Sequence, residues 1–307
     1  SSSEAMFWGE SEAMRRILRL VEKVAETDAN VLITGENGTG KEVMAREIHR
    51  RSLRRDELMV AVDMGALPES LFESELFGHC KGAFTDAHTD RIGKFEIAQG
   101  GTLFLDEIGN LSYHLQAKLL SAIQSRTIVR VGSNRPVETD VRLICATNQN
   151  LQAMVAQERF RRDLLYRINT IHIEIPPLRQ RREDIVPLAR LFLEKYAAKY
   201  GKQGIRIDEE ACRKLQEYDW YGNIRELQHT VEKAVIICDS MTIGQESLLM
   251  TPQQEEPNAG GVSTLEEMER NMIRQAIRLH ESNMSAVAAQ LGITRQTLYN
   301  KIKKYGL

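Results

Sequence analysis

Residues 30–42, Asn-Val-Leu-Ile-Thr-Gly-Glu-Asn-Gly-Thr-Gly-Lys-Glu, join a β-branched run to a glycine-rich turn and then to a helical pattern. Strand, loop, helix is the context a phosphate-cradling loop requires. Glycines let backbone N–H groups close around phosphate oxygens, and the helix start adds the positive end of its dipole. Gly35, Glu36, Asn37, Gly38, Thr39, Gly40 and Lys41 are therefore candidate nucleotide-binding residues, with Lys41 reaching the β- and γ-phosphates. The general pattern ends in Ser or Thr, which ligates Mg²⁺; Glu42 holds that place here.

Outward from this loop, short β-branched runs at 30–34, 59–63, 102–106, 142–146 and 171–175 alternate with helical patterns such as 42–51 and 115–125. That alternation predicts a parallel sheet flanked by helices, an α/β fold. A shorter pair, 127–131 and 137–141, flanks Gly-Ser-Asn-Arg-Pro and predicts a hairpin. The third run, Gly-Gly-Thr-Leu-Phe-Leu-Asp-Glu (100–107), is an apolar strand ending in two carboxylates. Beside a phosphate loop, Asp106 suits the Mg²⁺ shell, directly or through water, and Glu107 suits polarising water for in-line attack. The expected chemistry is hydrolysis of a nucleoside triphosphate, with ATP and Mg²⁺ as cofactors.

After Pro176-Pro177 the pattern changes to helical periodicity alone, from Glu183 to about Ile237, which predicts an all-α subdomain. Residues 251–263, rich in Pro, Gly and Gln, are expected to be a linker. An amphipathic helix from about Thr264, with Leu265, Met268, Met272, Ala276 and Ile277 on one face, precedes two shorter helices. From Ser285 onward Arg295, Lys301, Lys303 and Lys304 stand with no acids, a charge of +4 in 23 residues. Two helices meeting at Gly292-Ile293-Thr294, with Thr294 as N-cap, predict a helix-turn-helix. The expected domains are 1–177, 178–250 and 264–307, with the linker between the last two.

Composition limits the alternatives. With 42% hydrophobic and 27% charged residues the chain is not disordered throughout, and a net charge of −2 excludes a basic nucleic-acid coat. No apolar run approaches the ~18 residues of a membrane span, and the first ten residues carry no signal-peptide pattern. Four scattered cysteines, without Cys-x-x-Cys spacing, read as reduced thiols, and the expected location is the cytoplasm.

Together GENGTGKE, ESELFGH (73–79), GAFTDA (82–87), GGTLFLDEIG, FRRDLLYRIN and WYGNIREL resemble the AAA+ domain of sigma-54-dependent transcription activators, over roughly residues 9–250. The C-terminal AVAAQLGITRQTLYNKIKKYGL resembles the Fis-type helix-turn-helix. The resemblance implies an AAA+ P-loop sheet with a helical lid. In that family Glu commonly follows the loop lysine, so Glu42 joins the nucleotide-binding set. Arg161 and Arg167 match the paired arginine fingers that reach ATP on a neighbouring subunit; Arg162 makes the run ambiguous, and the register favours Arg161. Asn148, with Thr147, matches the sensor-1 region. Arg225 matches sensor 2, with Asn223 expected as N-cap and Glu226 three residues on. Gly82, Ala83, Phe84, Thr85, Asp86 and Ala87 match the loop that touches sigma-54, Phe84 and Thr85 at its tip. Thr294, Arg295, Gln296, Thr297, Asn300, Lys301 and Lys304 are the candidate DNA contacts, with Arg295, Gln296, Thr297 and Asn300 facing base edges and the lysines phosphate or core.

The implied function is an ATP-driven activator that binds double-stranded enhancer DNA and remodels the closed complex of sigma-54 RNA polymerase. It would be a homo-oligomer, a dimer at rest and a hexameric ring when active, the 265–277 stripe pairing two copies. Family members often carry an N-terminal receiver of two-component systems or a ligand-sensing domain. Here the ATPase pattern begins almost at once, so control is expected from a segment outside this sequence or from a separate partner. Two residues depart from the family pattern. Asp86 replaces the second glycine of the loop, adding a charge and restricting the left-handed backbone. Asp63 stands where Asn is usual, and its acceptor-only carboxylate could not bond ionised Glu107 directly. A DNA-binding regulator that binds ATP without engaging sigma-54 is the alternative. A metabolic ATPase or kinase would leave the loop and the C-terminal reader idle.

Overall fold

Strands buried on both faces read as near-continuous apolar runs, because a helix layer covers each side. A computed structural model of the chain describes residues 6–250, 269–270, 272–274, 276–277 and 283–305. In it β1 (Val31–Thr34), β2 (Met59–Asp63), β3 (Thr102–Asp106), β4 (Arg142–Thr147) and β5 (Ile171–Glu174) form one parallel sheet in the order β2-β3-β4-β1-β5. Each strand lies within one residue of its expected ends. Leu32, Leu103, Leu105, Leu143 and Cys145 point to one core with Phe77, Phe95 and Leu119. Their neighbours Val31, Ile33, Phe104, Ile144 and Ala146 point to the other, against Met14 and Val21 of helix Glu12–Ala25 and Met44 and Ile48 of helix Lys41–Arg50.

Register brings chemistry to one edge. Asp63 pairs with Asp106, and Thr34 with Thr147, so the loops carrying the phosphate motif, both carboxylates and Asn148 all leave the same end of the sheet. The expected hairpin is shorter than its sequence run: Thr127–Val129 pairs antiparallel with Pro136–Glu138. A second antiparallel pair, Gly78–His79 with Arg91–Ile92, brackets the GAFTDA segment. The two are joined by backbone bonds, Val131 N to Gly78 O and Cys80 N to Val131 O, both 2.9 Å.

The lid is helical, with Ile185–Lys199, Glu209–Glu217 and Asn223–Ile237 closing around Trp220, Leu227 and Val231. One difference from the helix-only reading is a two-residue parallel pair, Arg206–Ile207 with Thr242–Ile243. Two residues are too few to show a period, so the helical pattern around them hides the pair.

Contacts divide the chain into Ser1–Pro252 and Gln253–Leu307. In the second unit Met284–Gln290 and Arg295–Tyr305 pack with Ile273 and Ala276 around Val287, Ala288 and Leu298. Of the apolar face expected to pair two copies, Ala276 is buried within this unit beside Ile273, while Met272 is 58% exposed. The 251–263 linker, Leu265 and Met268 lie outside the described residues.

Candidate functional site

The loop 35–40 leads from β1 into helix Lys41–Arg50, where Gly40, in the left-handed region, turns the chain without a side-chain cap. Gly38 also has positive φ, and a Cβ there would stand 2.2 Å from the Gly222 carbonyl, so the loop and lid touch at a point where only glycine fits. Lys41 is buried, its Nζ donating to the carbonyls of Gly35 (2.9 Å) and Glu36 (3.0 Å). Burial lowers its pKa, while Glu107 and Asp106 oppose that shift. Thr39 closes the loop on itself, its hydroxyl donating to Glu36 O at 2.8 Å. Glu42 faces outward and pairs with Arg46 at 2.6 Å, one helical turn on.

At the end of β3, Asp106 Oδ1 accepts from the Glu107 backbone N–H at 2.9 Å. Glu107 itself sits at φ 55°, ψ 50°, a left-handed backbone that L residues adopt at a cost. Burial raises the pKa of both carboxyls, and each is raised further by charged neighbours, Asp63 among them. Asp63 does not bond Glu107; its Oδ1 accepts from Gly65 N at 2.8 Å. Among the described residues no group of three or more His, Cys, Asp and Glu could cage a metal. The donor set nevertheless fits Mg²⁺, which takes one or two carboxylates and completes its shell with phosphates and water. Two desolvated carboxyls facing a phosphate loop supply the charge such an ion would relieve.

From β4, Asn148 Nδ2 donates to Asn37 Oδ1 at 3.0 Å, joining the sensor position to the phosphate loop, while Thr147 is buried and accepts from Gln149 N. Arg225 is in the first turn of its helix as expected, and its backbone N–H donates to Gly38 O at 3.3 Å. Asn223 is not the expected cap. It lies at φ 53°, fully buried, and its Oδ1 accepts from Leu178 N at 2.9 Å while its Nδ2 donates to Glu36, Asn37 O and Tyr221 O. Glu226 instead accepts from Gly222 N at 2.8 Å, the reverse half of a capping box.

Sequence reasoning missed Arg179. Its guanidinium embraces the Glu36 carboxylate, with one bond at 2.8 Å, and lies over the Tyr221 ring at 5.2 Å. The only local hint is position, a cation two residues after the Pro176-Pro177 junction.

Arg161 and Arg167 are not brought to this cluster: among the described residues no hydrogen bond or ion pair joins them to Lys41, Asp106 or Glu107. Arg161 is the residue before helix Arg162–Ile168, paired with Asp163 at 2.9–3.0 Å and lying over Tyr113 at 5.5 Å. Arg167 is exposed on the last turn.

The GAFTDA segment is a pair of tight turns, with Gly82 N bonding Ala87 O at 2.8 Å and Ala87 N bonding Phe84 O at 3.0 Å. Thr85 and Asp86 are exposed and Ala87 is buried. Phe84 is 43% exposed and rests edge-on against His79 at 4.9 Å. Asp86 is absent from the residues with positive φ, so the backbone there does not require glycine.

In the C-terminal unit Thr294 Oγ1 accepts from Thr297 N at 3.2 Å, the expected cap. Arg295, Gln296 and Asn300 are exposed, whereas Lys301 pairs with Glu269, which also accepts from Tyr305 Oη at 2.6 Å. Lys304 lies over the Tyr305 ring at 5.1 Å.

Residues 7–174, more than half the chain, match the family model of the sigma-54 interaction domain. The chain belongs to the sigma-54-dependent activator family. Residues 179–264 of this chain match the AAA+ ATPase lid domain, and residues 264–305 the bacterial regulatory proteins of the Fis family. It is 47% identical over 301 residues to the transcriptional regulatory protein ZraR of Klebsiella oxytoca, covering 96% of this chain and 68% of the relative. It is 45% identical to the regulatory protein AtoC of Escherichia coli (strain K12), covering 98% and 68%. NtrX from Brucella abortus, solved in complex with ATP, superposes with a TM-score of 0.74 at 31% identity, covering 99% of this chain and 70% of that chain. Among the described residues no helix is long and apolar enough to cross a membrane.

Proposed function

We propose that the chain hydrolyses ATP at a boundary shared by two copies and uses the stroke to remodel the closed complex of sigma-54 RNA polymerase. The observation that carries the reading is convergence. Lys41, Asp106, Glu107 and Asn148 meet at one end of the sheet with the lid touching the loop, while Arg161, partly exposed, and Arg167, exposed, stand elsewhere. Lys41 exchanges the Gly35 and Glu36 carbonyls for phosphate oxygens. Asp106 would hold Mg²⁺, directly or through water, and the ion when bound would neutralise phosphate charge. Glu107 accepts a proton from the attacking water, and Asn148 with Arg225 senses the γ-phosphate. Arg161 and Arg167 of a neighbouring copy stabilise charge developing on the transferred group. A cyclic homo-oligomer, a hexamer by family, satisfies that geometry at every site.

Phe84 and Thr85 are the proposed sigma-54 contacts, an aromatic anchor on a turn. Asp86 does not need a left-handed backbone, which favours an engaging loop over the alternative of an ATP-binding regulator indifferent to sigma-54. Thr294, Arg295, Gln296, Thr297 and Asn300 read enhancer DNA, with Lys304 at phosphate. Lys301, paired with Glu269, braces the reader more than it contacts DNA. Open-complex formation by purified sigma-54 polymerase tests the whole reading. Melting of promoter DNA only with hydrolysable ATP is expected; DNA occupancy without melting under every nucleotide would leave only the alternative.

A further inference from the structure

Glu36 is tied at both ends. Its backbone carbonyl receives Lys41 Nζ and, within the loop, the Thr39 hydroxyl; its carboxylate receives Arg179 and, at 3.1 Å, Asn223 Nδ2. The Lys41 tie is one a phosphate would compete for; those to the carboxylate belong to the lid and the segment leading into it. Arg179 follows the Pro-Pro junction and Asn223 opens the helix that carries Arg225, so one carboxylate spans the loop, the junction and the sensor helix. Arg225 N bonding Gly38 O and the Gly222 carbonyl against Gly38 complete the seam. The Arg179 side chain is only partly buried, and its bidentate geometry with stacking on Tyr221 fixes a direction that a flexible surface pair would lack.

We propose that Arg179 is a positioning residue: by gripping Glu36 it sets the lid, and with it Arg225, against the phosphate loop. The proposal rests on the nucleotide-binding reading above and extends it to regulation of the same site. When phosphate draws Lys41 from the Glu36 carbonyl, that carbonyl keeps only the Thr39 hydroxyl within the loop, and the Arg179–Glu36 pair becomes the main charged tie from the loop to the lid side, so nucleotide occupancy is felt by the lid through Glu36. No contact between Arg179 and nucleotide is needed.

The test is a double-mutant cycle on the full chain, with Glu36→Gln and Arg179→Ala, read by equilibrium titration with a fluorescent ADP analogue. Each single variant is expected to weaken ADP by about tenfold, the loss expected of one charge-assisted hydrogen bond. The double variant is expected to lose no more than the worse single, and Arg179→Lys to recover part of the loss. Arg179→Gln replaces Arg179→Ala if the latter does not fold, and urea midpoints establish that the variants compared are folded. Arg179→Ala binding ADP as tightly as wild type, or losses that multiply in the double variant, overturns the proposal. Neither result touches hydrolysis or sigma-54 engagement, which this assay does not read. Wild type that fails to bind ADP overturns both this proposal and the reading beneath it.

Discussion

Replacing Asn223 with alanine removes a side chain that is buried and makes four hydrogen bonds within 3.2 Å. Asn37 is exposed, so water can replace the bond to its carbonyl. Leu178 is buried, and its N–H loses its 2.9 Å acceptor, which costs about 1–3 kcal/mol. Alanine must also hold φ near 53°, where asparagine is tolerated and alanine is not, adding about 1–2 kcal/mol. The sum is a destabilisation of about 2–5 kcal/mol. Asn223→Gly loses the same bond but removes the backbone cost, so its destabilisation should be about 1–2 kcal/mol smaller than that of the alanine variant. Asn223→Asp keeps an acceptor for Leu178 but sets a carboxylate near Glu36, so its loss should grow as salt is lowered. Urea unfolding followed by tryptophan fluorescence reads the effect, because Trp220 is buried in the lid core while Trp8, the other tryptophan, packs against the sheet. An alanine variant within 1 kcal/mol of wild type would refute the assignment of Asn223 as the seam between lid and loop.

Glu107→Gln should bind ATP with near wild-type affinity yet lose at least ~100-fold in turnover, as removal of a general base does; robust hydrolysis in a coupled phosphate assay would contradict the role. Because burial raises the Glu107 pKa, the base form is lost at a higher pH than for a free carboxylate as acid is added. Because burial lowers the Lys41 pKa, its charge is lost earlier as pH rises, so the rate profile should be narrowed from both sides. Asp63→Asn removes one of the charges that raises Glu107 and should move the acid limb to lower pH; superimposable profiles would remove Asp63 from the site. Phe84→Ala should abolish open-complex formation while leaving ATP hydrolysis intact, and normal melting by that variant would dismiss the loop as the contact. Arg295→Ala should weaken enhancer binding by about 1–3 kcal/mol if it reads a base edge, whereas Lys301→Ala should lower the stability of the C-terminal unit more than its DNA affinity. Gel-shift titrations and thermal melts separate the two.

Local order was legible where a motif and its element coincide. The run 31–41 has its strand, its glycines and its lysine consecutive, and Thr102–Asp106 carries both its apolar faces and its carboxylate within five residues. What could not be read are partners far apart in sequence. Arg179 meets Glu36 across 143 positions and Asn223 meets it across 187, and neither leaves a periodic trace. Asn223 followed by Glu226 spells a capping box, and the tertiary demand of Leu178 and Glu36 overrode that local preference. Lys301 read as part of a basic face because its neutralising Glu269 lies 32 residues earlier, on another helix. Glu107 in a left-handed backbone has no sequence signal, since the strand before it gives every reason to continue straight.

The stalk beneath Phe84 has arms of only two residues, cross-braced to the neighbouring hairpin through Val131. On the proposed stroke, so short and braced a mount is expected to act as a lever with a stiff fulcrum, carrying the aromatic as a unit instead of bending the turn beneath it. On the same proposal, slack inserted between Gly78 and Gly82 is expected to absorb that swing, so that fuel is consumed without thrust while every proposed catalytic group stays in place.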